Sequence, residues 1–171
     1  MIKINAPFCN QADFDNAVSV LKKCEVTKPA YGFELPFFAP GGLYGECWWS
    51  LDGALAVDGY KWVDSQCELN FLDNLHATQL DDGRVKLYGI DQFSDAHSPF
   101  IVVPIGSLPK FFATGYTTAV RYNKPNITEK VFDLLNKNLN WWFTNRQDPE
   151  TKLISALFEE TFVPNIAFPV I

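Results

Sequence analysis

The chain has 171 residues, 47% hydrophobic and 20% charged, a balance that suits one packed domain and excludes a disordered polymer. Its net charge of −6, with a pI near 4.8, excludes nucleic acid and an anionic membrane surface as partners, because no basic footprint exists to neutralise phosphates. No apolar run approaches the roughly 20 residues that span a bilayer, and Met1-Ile-Lys-Ile-Asn5 carries no apolar signal core, so a cytoplasmic protein is expected.

Residues 11–23 place Phe14, Ala17, Val18 and Leu21 on one helical face. From Glu25 to Gly45 three prolines and four glycines punctuate an aromatic stretch (Phe33, Leu35, Phe37, Phe38), which reads as a long loop or short extended pieces. Residues 50–58 are small and apolar at their centre, a pattern for a tightly packed inner helix, with Gly59 available as a left-handed cap. A second helix is predicted over 61–80, where Val63, Cys67, Phe71 and Leu75 recur every fourth residue, and Asp81-Asp82-Gly83 closes it as a turn.

Arg84 to Pro109 departs from the helical pattern, with extended pieces expected at 88–93 and 100–103. A further inner helix is expected over 109–122, weakened by Gly115, and the clearest helix over 128–147, with Thr128 as N-cap and Asp148-Pro149 as stop. A Lys152–Phe158 run, two glutamates and a Pro-containing apolar tail complete the chain. Short helices of small residues alternate with longer amphipathic ones: a mainly α class of helical hairpins joined by long irregular loops.

Cys9, Cys24, Cys47 and Cys67 are scattered without CxxC spacing, which reads as reduced, buried thiols and not as a zinc site. His76 reads as an ordinary helical histidine. His97 lacks the nucleophile elbow of a hydrolase triad. Asp81-Asp82-Gly83 lacks calcium-loop spacing, and Asn126-Ile-Thr128 reads as helix-start chemistry. Two features remain. Gly-rich approaches run into Trp48 and Trp49 just ahead of Asp52, flat apolar faces beside an acidic acceptor, which suits a sugar ring. The plainer reading has both tryptophans in the core and Asp52 as a helix cap. Glu159-Glu160 sits between Phe158 and Phe162, where desolvation would raise a carboxyl pKa toward general-acid duty, or else where two solvated glutamates end a helix.

The order Trp49-Ser-Leu-Asp52-Gly-Ala-Leu-Ala, Asp82-Gly-Arg84, Asn140-Trp-Trp142, Asp148-Pro-Glu-Thr-Lys-Leu153 and Phe158-Glu159-Glu160 resembles the six-hairpin glycosidases, the superfamily of glucoamylase, trehalase and the processing α-glucosidases. The resemblance spans roughly residues 31–165. It implies a partial (α/α)6 toroid, with an active site in loops at one end of the inner helices and inverting hydrolysis. Glu159 would be the general acid, Asp52 and Glu160 would bind sugar hydroxyls, and Trp48 or Trp49 would stack on the ring. No cofactor or metal is implied. Two departures stand out: Leu51 occupies a position where these relatives often carry arginine, and Phe158 replaces a tryptophan.

The toroid needs about twelve helices and the family's general base lies late in its domain, whereas this chain offers about five helices before Ile171. The expectation is therefore an N-terminal half, a split half completed by a second chain or by self-association, or a module that binds oligosaccharide without cleaving it. The isolated chain is expected to be inactive. The alternative from another class is a non-catalytic helical module that meets another protein.

Overall fold

In a computed structural model, the structure describes residues 2–5, 7–42, 45–85, 87 and 111–155. Among these residues the chain is mainly helical: α1 (Gln11–Lys23), β1 (Glu25–Val26), β2 (Phe37–Phe38), α2 (Ser50–Tyr60), α3 (Gln66–Thr78), α4 (Phe112–Tyr122) and α5 (Pro125–Arg146). The pieces expected at 88–93, 100–103 and 156–158, with His97 and both glutamates, lie outside the described residues.

α1 has the predicted bounds because Asn10 and Asp13 form a reciprocal capping box that satisfies two free N–H groups. The phenylalanines of the aromatic loop are core. β1 and β2 pair antiparallel, Glu25 opposite Phe38, and bring Phe33, Phe37 and Phe38 under α2 and α3. Asn74 of α3 fixes the loop by accepting from Leu35 N (3.1 Å) and donating to Leu35 O (2.8 Å).

The remaining helices form two antiparallel hairpins. Gly53 lies against Phe71, and the Cys67 thiol lies by Val57 O, so α2 and α3 run in opposite directions. Asp58 meets Thr114, and Lys61 O meets Arg121, so α2 and α4 run in the same direction. Asp73–Lys130 and His76–Asp133 pairs place α5 parallel to α3. The N-termini of α2 and α4 therefore share one end with the C-termini of α3 and α5. α3 lies beneath a layer formed by α2, α4 and α5, and Val57, Phe71, Leu75, Val131 and Leu134 fill the space between.

Several boundaries differ from expectation for local reasons. α2 continues through Gly59 to Tyr60, whose ring packs on Phe38 with centroids 5.2 Å apart. That burial outweighs the ~1 kcal/mol penalty of a helical glycine. α3 begins at Gln66, later than expected, because Lys61 to Asp64 form a turn after α2. α5 starts at Pro125, so Thr128 lies inside it; proline suits a first helical position, where no N–H bond is needed. Gly115 is a contact point, not a weakness: an added Cβ would stand 3.3 Å from Val131 Cγ1 and 3.4 Å from Leu135 Cδ1 of α5.

Candidate functional site

At the shared end, α2 begins beside the segment that follows α3, with Ser50 N donating to Leu87 O (3.0 Å). Trp49 is the N-cap residue, and its carbonyl accepts from Gly53 N (2.8 Å). Asp52 is therefore the third helical residue and not the cap; it lies in the first turn, where the helix dipole favours a carboxylate. Its side chain is half-buried and accepts no hydrogen bond among the described residues. Trp49 is also half-buried. Trp48 is fully buried, edge-on to Phe33 at 5.0 Å, so its faces are closed to any ligand and the stacking expected of it is ruled out. Its indole edge touches α2 at Gly53, where a Cβ would stand 2.7 Å from Nε1.

The turn after α3 closes as expected. Leu80 O accepts from Gly83 N (2.8 Å), Leu80 N donates to Arg84 O (2.9 Å), and Asp82 takes both Arg84 N (3.0 Å) and Arg84 Nε (2.6 Å). Gly83 holds φ of +95°, and its α-carbon faces the Lys137 carbonyl so closely that any Cβ would collide with it. This seats Arg84 over Trp141 of α5 (5.6 Å to the ring centroid), and Arg146 lies over the same indole at 5.0 Å. Trp141 and Trp142 meet edge to face at 5.2 Å. Below them Asn138 is fully buried: its Nδ2 reaches Gly83 O at 3.4 Å, while Oδ1 has no partner among the described residues. Beyond α5, Asp148 accepts from Thr151 N (2.6 Å), Thr151 Oγ1 (2.9 Å) and Glu150 N (3.0 Å). The Thr151 bonds hold its carboxyl below the usual carboxylate range.

The opposite end carries a charge network that the sequence reading did not single out. Glu68 is fully buried; Thr118 Oγ1 donates to its Oε2 (3.1 Å), and Arg121 Nη1 lies 3.2 Å from Oε1, an ion pair outside hydrogen-bond geometry. Asp58 receives Lys61 Nζ (2.9 Å) on one oxygen and Thr114 Oγ1 (3.0 Å) on the other. Arg121 stacks over exposed Trp62 at 5.2 Å. The signal was present: Glu68 shares a helical stripe with Leu72 and Leu75, and a carboxylate on an apolar stripe implies a buried partner. Cys67 beside it is a buried thiol pushed up to about 12 by burial, and therefore inert. Cys9, Cys24 and Cys47 are only half-buried, and none of the four cysteines forms a disulfide.

Of the residues expected to act, the structure brings Trp49 and Asp52 to the end that also holds Arg84, Trp141, Trp142 and Arg146. It withdraws Trp48 into the core, and Glu159 and Glu160 lie outside the described residues. Among the described residues no three His, Cys, Asp or Glu side chains gather to hold a metal, and no helix is long and apolar enough to cross a membrane. No protein-family model, curated protein or solved structure matches the chain.

Proposed function

We propose that the chain binds an oligosaccharide at the end where α2 and α4 begin, as a glycoside-hydrolase-like module whose hairpins are two segments of an (α/α) toroid. The observation that carries this reading is that Trp49 and Asp52, at the N-terminus of α2, stand at the same end of the helices as the Arg84–Trp141–Arg146 stack. Trp49, half-buried at the helix start, is the indole this reading assigns to sugar C–H groups. Asp52, which accepts no hydrogen bond among the described residues, is the group this reading sets against ring hydroxyls. Buried sites that hydrogen-bond a hydroxyl reject ligands lacking it, because the acceptor is then left unpaired. The parallel contact of α2 with α4, each backed by an antiparallel α3 or α5, supports the hairpin arrangement. In the complete scheme Glu159 protonates the leaving oxygen and Glu160 binds beside it. Inverting cleavage also needs a second carboxylate about 6.5–9.5 Å away to activate water.

The test is titration of a panel of oligosaccharides while tryptophan fluorescence is followed. A saturable change is expected for the wild type, with at least about tenfold weaker binding in Asp52→Asn and Trp49→Ala, the loss of one or two hydrogen bonds or of a stacked face. No saturable change with any sugar, or binding indifferent to both substitutions, would overturn the reading. Reducing-sugar release by the chain alone is expected to stay at baseline.

A further inference from the structure

Gly83, Arg84, Val85 and Leu87 form a buried strap that joins the two features used by the carbohydrate reading. At one end Leu87 O accepts from Ser50 N (3.0 Å), the first N–H of α2, beside Trp49 and two residues ahead of Asp52. The first N–H groups of a helix have no partner within it, and Trp49 at the N-cap position offers no side-chain cap, so the strap fixes where α2 begins. At the other end the strap is held on α5. The Gly83 α-carbon faces the Lys137 carbonyl, Arg84 lies over Trp141, and Asn138 Nδ2 reaches Gly83 O at 3.4 Å. A shorter bond comes from Gln79, the C-cap residue of α3, whose Nε2 donates to Gly83 O (2.8 Å) and to Leu134 O (3.0 Å). A side-chain amide carries two N–H donors, one for each carbonyl. One half-buried side chain thus ties the end of α3, the turn and α5 together.

We infer that Gln79 is a positioning residue for this end of the molecule: by pinning Gly83 to Leu134 of α5, it sets through the strap the place of Trp49 and Asp52. What that placement serves rests on the carbohydrate reading. The kind of contact argues for it first. Val85 and Leu87 are held by apolar packing, which is not directional. The Gln79 bonds are directional and weaken steeply with misalignment, so they fix the strap along its length as packing does not. A bound hydroxyl obeys the same geometric limits, so a displaced first turn of α2 loses its ligand bonds before it loses its fold.

Location argues next. Asp73–Lys130 and His76–Asp133 also join α3 to α5, but they lie along the bodies of the helices, with side chains 38% to 44% exposed. Ion pairs that open to water contribute little. Gln79 stands where α3 gives way to the turn, and its two acceptors belong to different elements. Continuity is the third argument. Energetic coupling between separated groups runs through packed side chains and hydrogen bonds. Here the path is Gln79 to Gly83 O, the buried strap, then Leu87 O to Ser50 N.

The test is native-state hydrogen exchange of Ser50 N–H, read by NMR beside the Val57 and Phe71 amides, together with oligosaccharide titration by tryptophan fluorescence. Gln79→Met keeps the side chain's length and removes the donor, Gln79→Lys restores a donor, and His76→Ala cuts an α3–α5 contact away from the turn. In Gln79→Met, Ser50 N–H is expected to exchange about tenfold faster, the loss of one or two hydrogen bonds, while Val57 and Phe71 keep wild-type rates. Sugar affinity should fall by a similar factor. Gln79→Lys should recover both readouts, and His76→Ala should change neither. Should Gln79→Met lose its fold, Gln79→Ala decides. Ser50 exchange that stays at the wild-type rate, rises in step with Val57 and Phe71, or rises equally in His76→Ala would overturn the inference. So would wild-type affinity in a variant whose Ser50 amide is loosened, or a Gln79→Lys chain no better than Gln79→Met. Faster Ser50 exchange in a protein whose wild type binds no sugar upholds the positioning and removes the carbohydrate reading alone.

Discussion

The two ends of the helical layer contain similar kinds of side chain arranged to opposite effect. At the α3 N-terminal end, Glu68, Asp58, Lys61, Thr114, Thr118 and Arg121 pair across three helices, with Glu68 Oε1 held by the Arg121 charge without a hydrogen bond. At the α2 N-terminal end, Asp52 has no donor, and Trp48 Nε1 and Asn138 Oδ1 are buried without partners among the described residues. Contacts between side chains of α2, α3 and α4 at the first end fix the register of those helices. Half-buried Asp52 at the second end is the acceptor that the carbohydrate reading proposed above assigns to a polyhydroxylated ligand.

The contrast can be broken most forcefully at Arg121. Removing it in Arg121→Ala leaves the Glu68 carboxylate buried without its cation and is expected to cost about 3–5 kcal/mol of unfolding free energy, measured by urea denaturation. Glu68→Gln, which keeps an acceptor for Thr118, should cost clearly less. A loss under about 1 kcal/mol for Arg121→Ala would show that the network is ornamental. Gly83→Ala comes next, at about 2–4 kcal/mol from positive φ and collision with the Lys137 carbonyl; it should also disturb Arg84 over Trp141, visible in the near-ultraviolet circular dichroism.

Asp52→Asn sharpens the contrast from the other side. Its stability cost is only the dipole interaction of a first-turn carboxylate, about 0.3–1 kcal/mol, whereas its effect on binding is at least about tenfold. The smallest effect belongs to Asp148. Its folded pKa is depressed by Thr151, so its contribution to the 147–155 turn is fully present above the ordinary carboxylate value and is lost as pH falls through the lowered one. NMR titration of Thr151 N–H should follow that loss in the wild type and show no such step in Asp148→Asn.

Periodicity made the helices legible: α1 was read to the residue, and α2, α4 and α5 to within a few residues at each end. Boundaries slipped where tertiary contacts overruled local signals, as when Tyr60 burial carried α2 past Gly59, or when Gly115, weak in isolation, became a contact of α4 with Val131 and Leu135 of α5. The candidate site was half legible. The Trp-Trp-x-x-Asp spacing located Asp52 and Trp49 correctly at a helix start, but residue type cannot say which of two adjacent tryptophans turns inward; that depends on Phe33, fifteen positions earlier. Arg146 over Trp141 was invisible as a pair until α5 set them on one face, and the outward faces of α2 and α4 looked like inner-helix surfaces for the same reason.

The most direct test of the central claim is one paired measurement on two variants: oligosaccharide affinity by tryptophan fluorescence and unfolding free energy by urea, for Asp52→Asn and Arg121→Ala. The expected result is a crossed pattern, with Asp52→Asn losing affinity at nearly unchanged stability and Arg121→Ala losing stability while its folded fraction keeps wild-type affinity. If both variants lose affinity only in proportion to lost stability, or if neither the variants nor the wild type binds any sugar, the assignment of binding to one end and register to the other is contradicted.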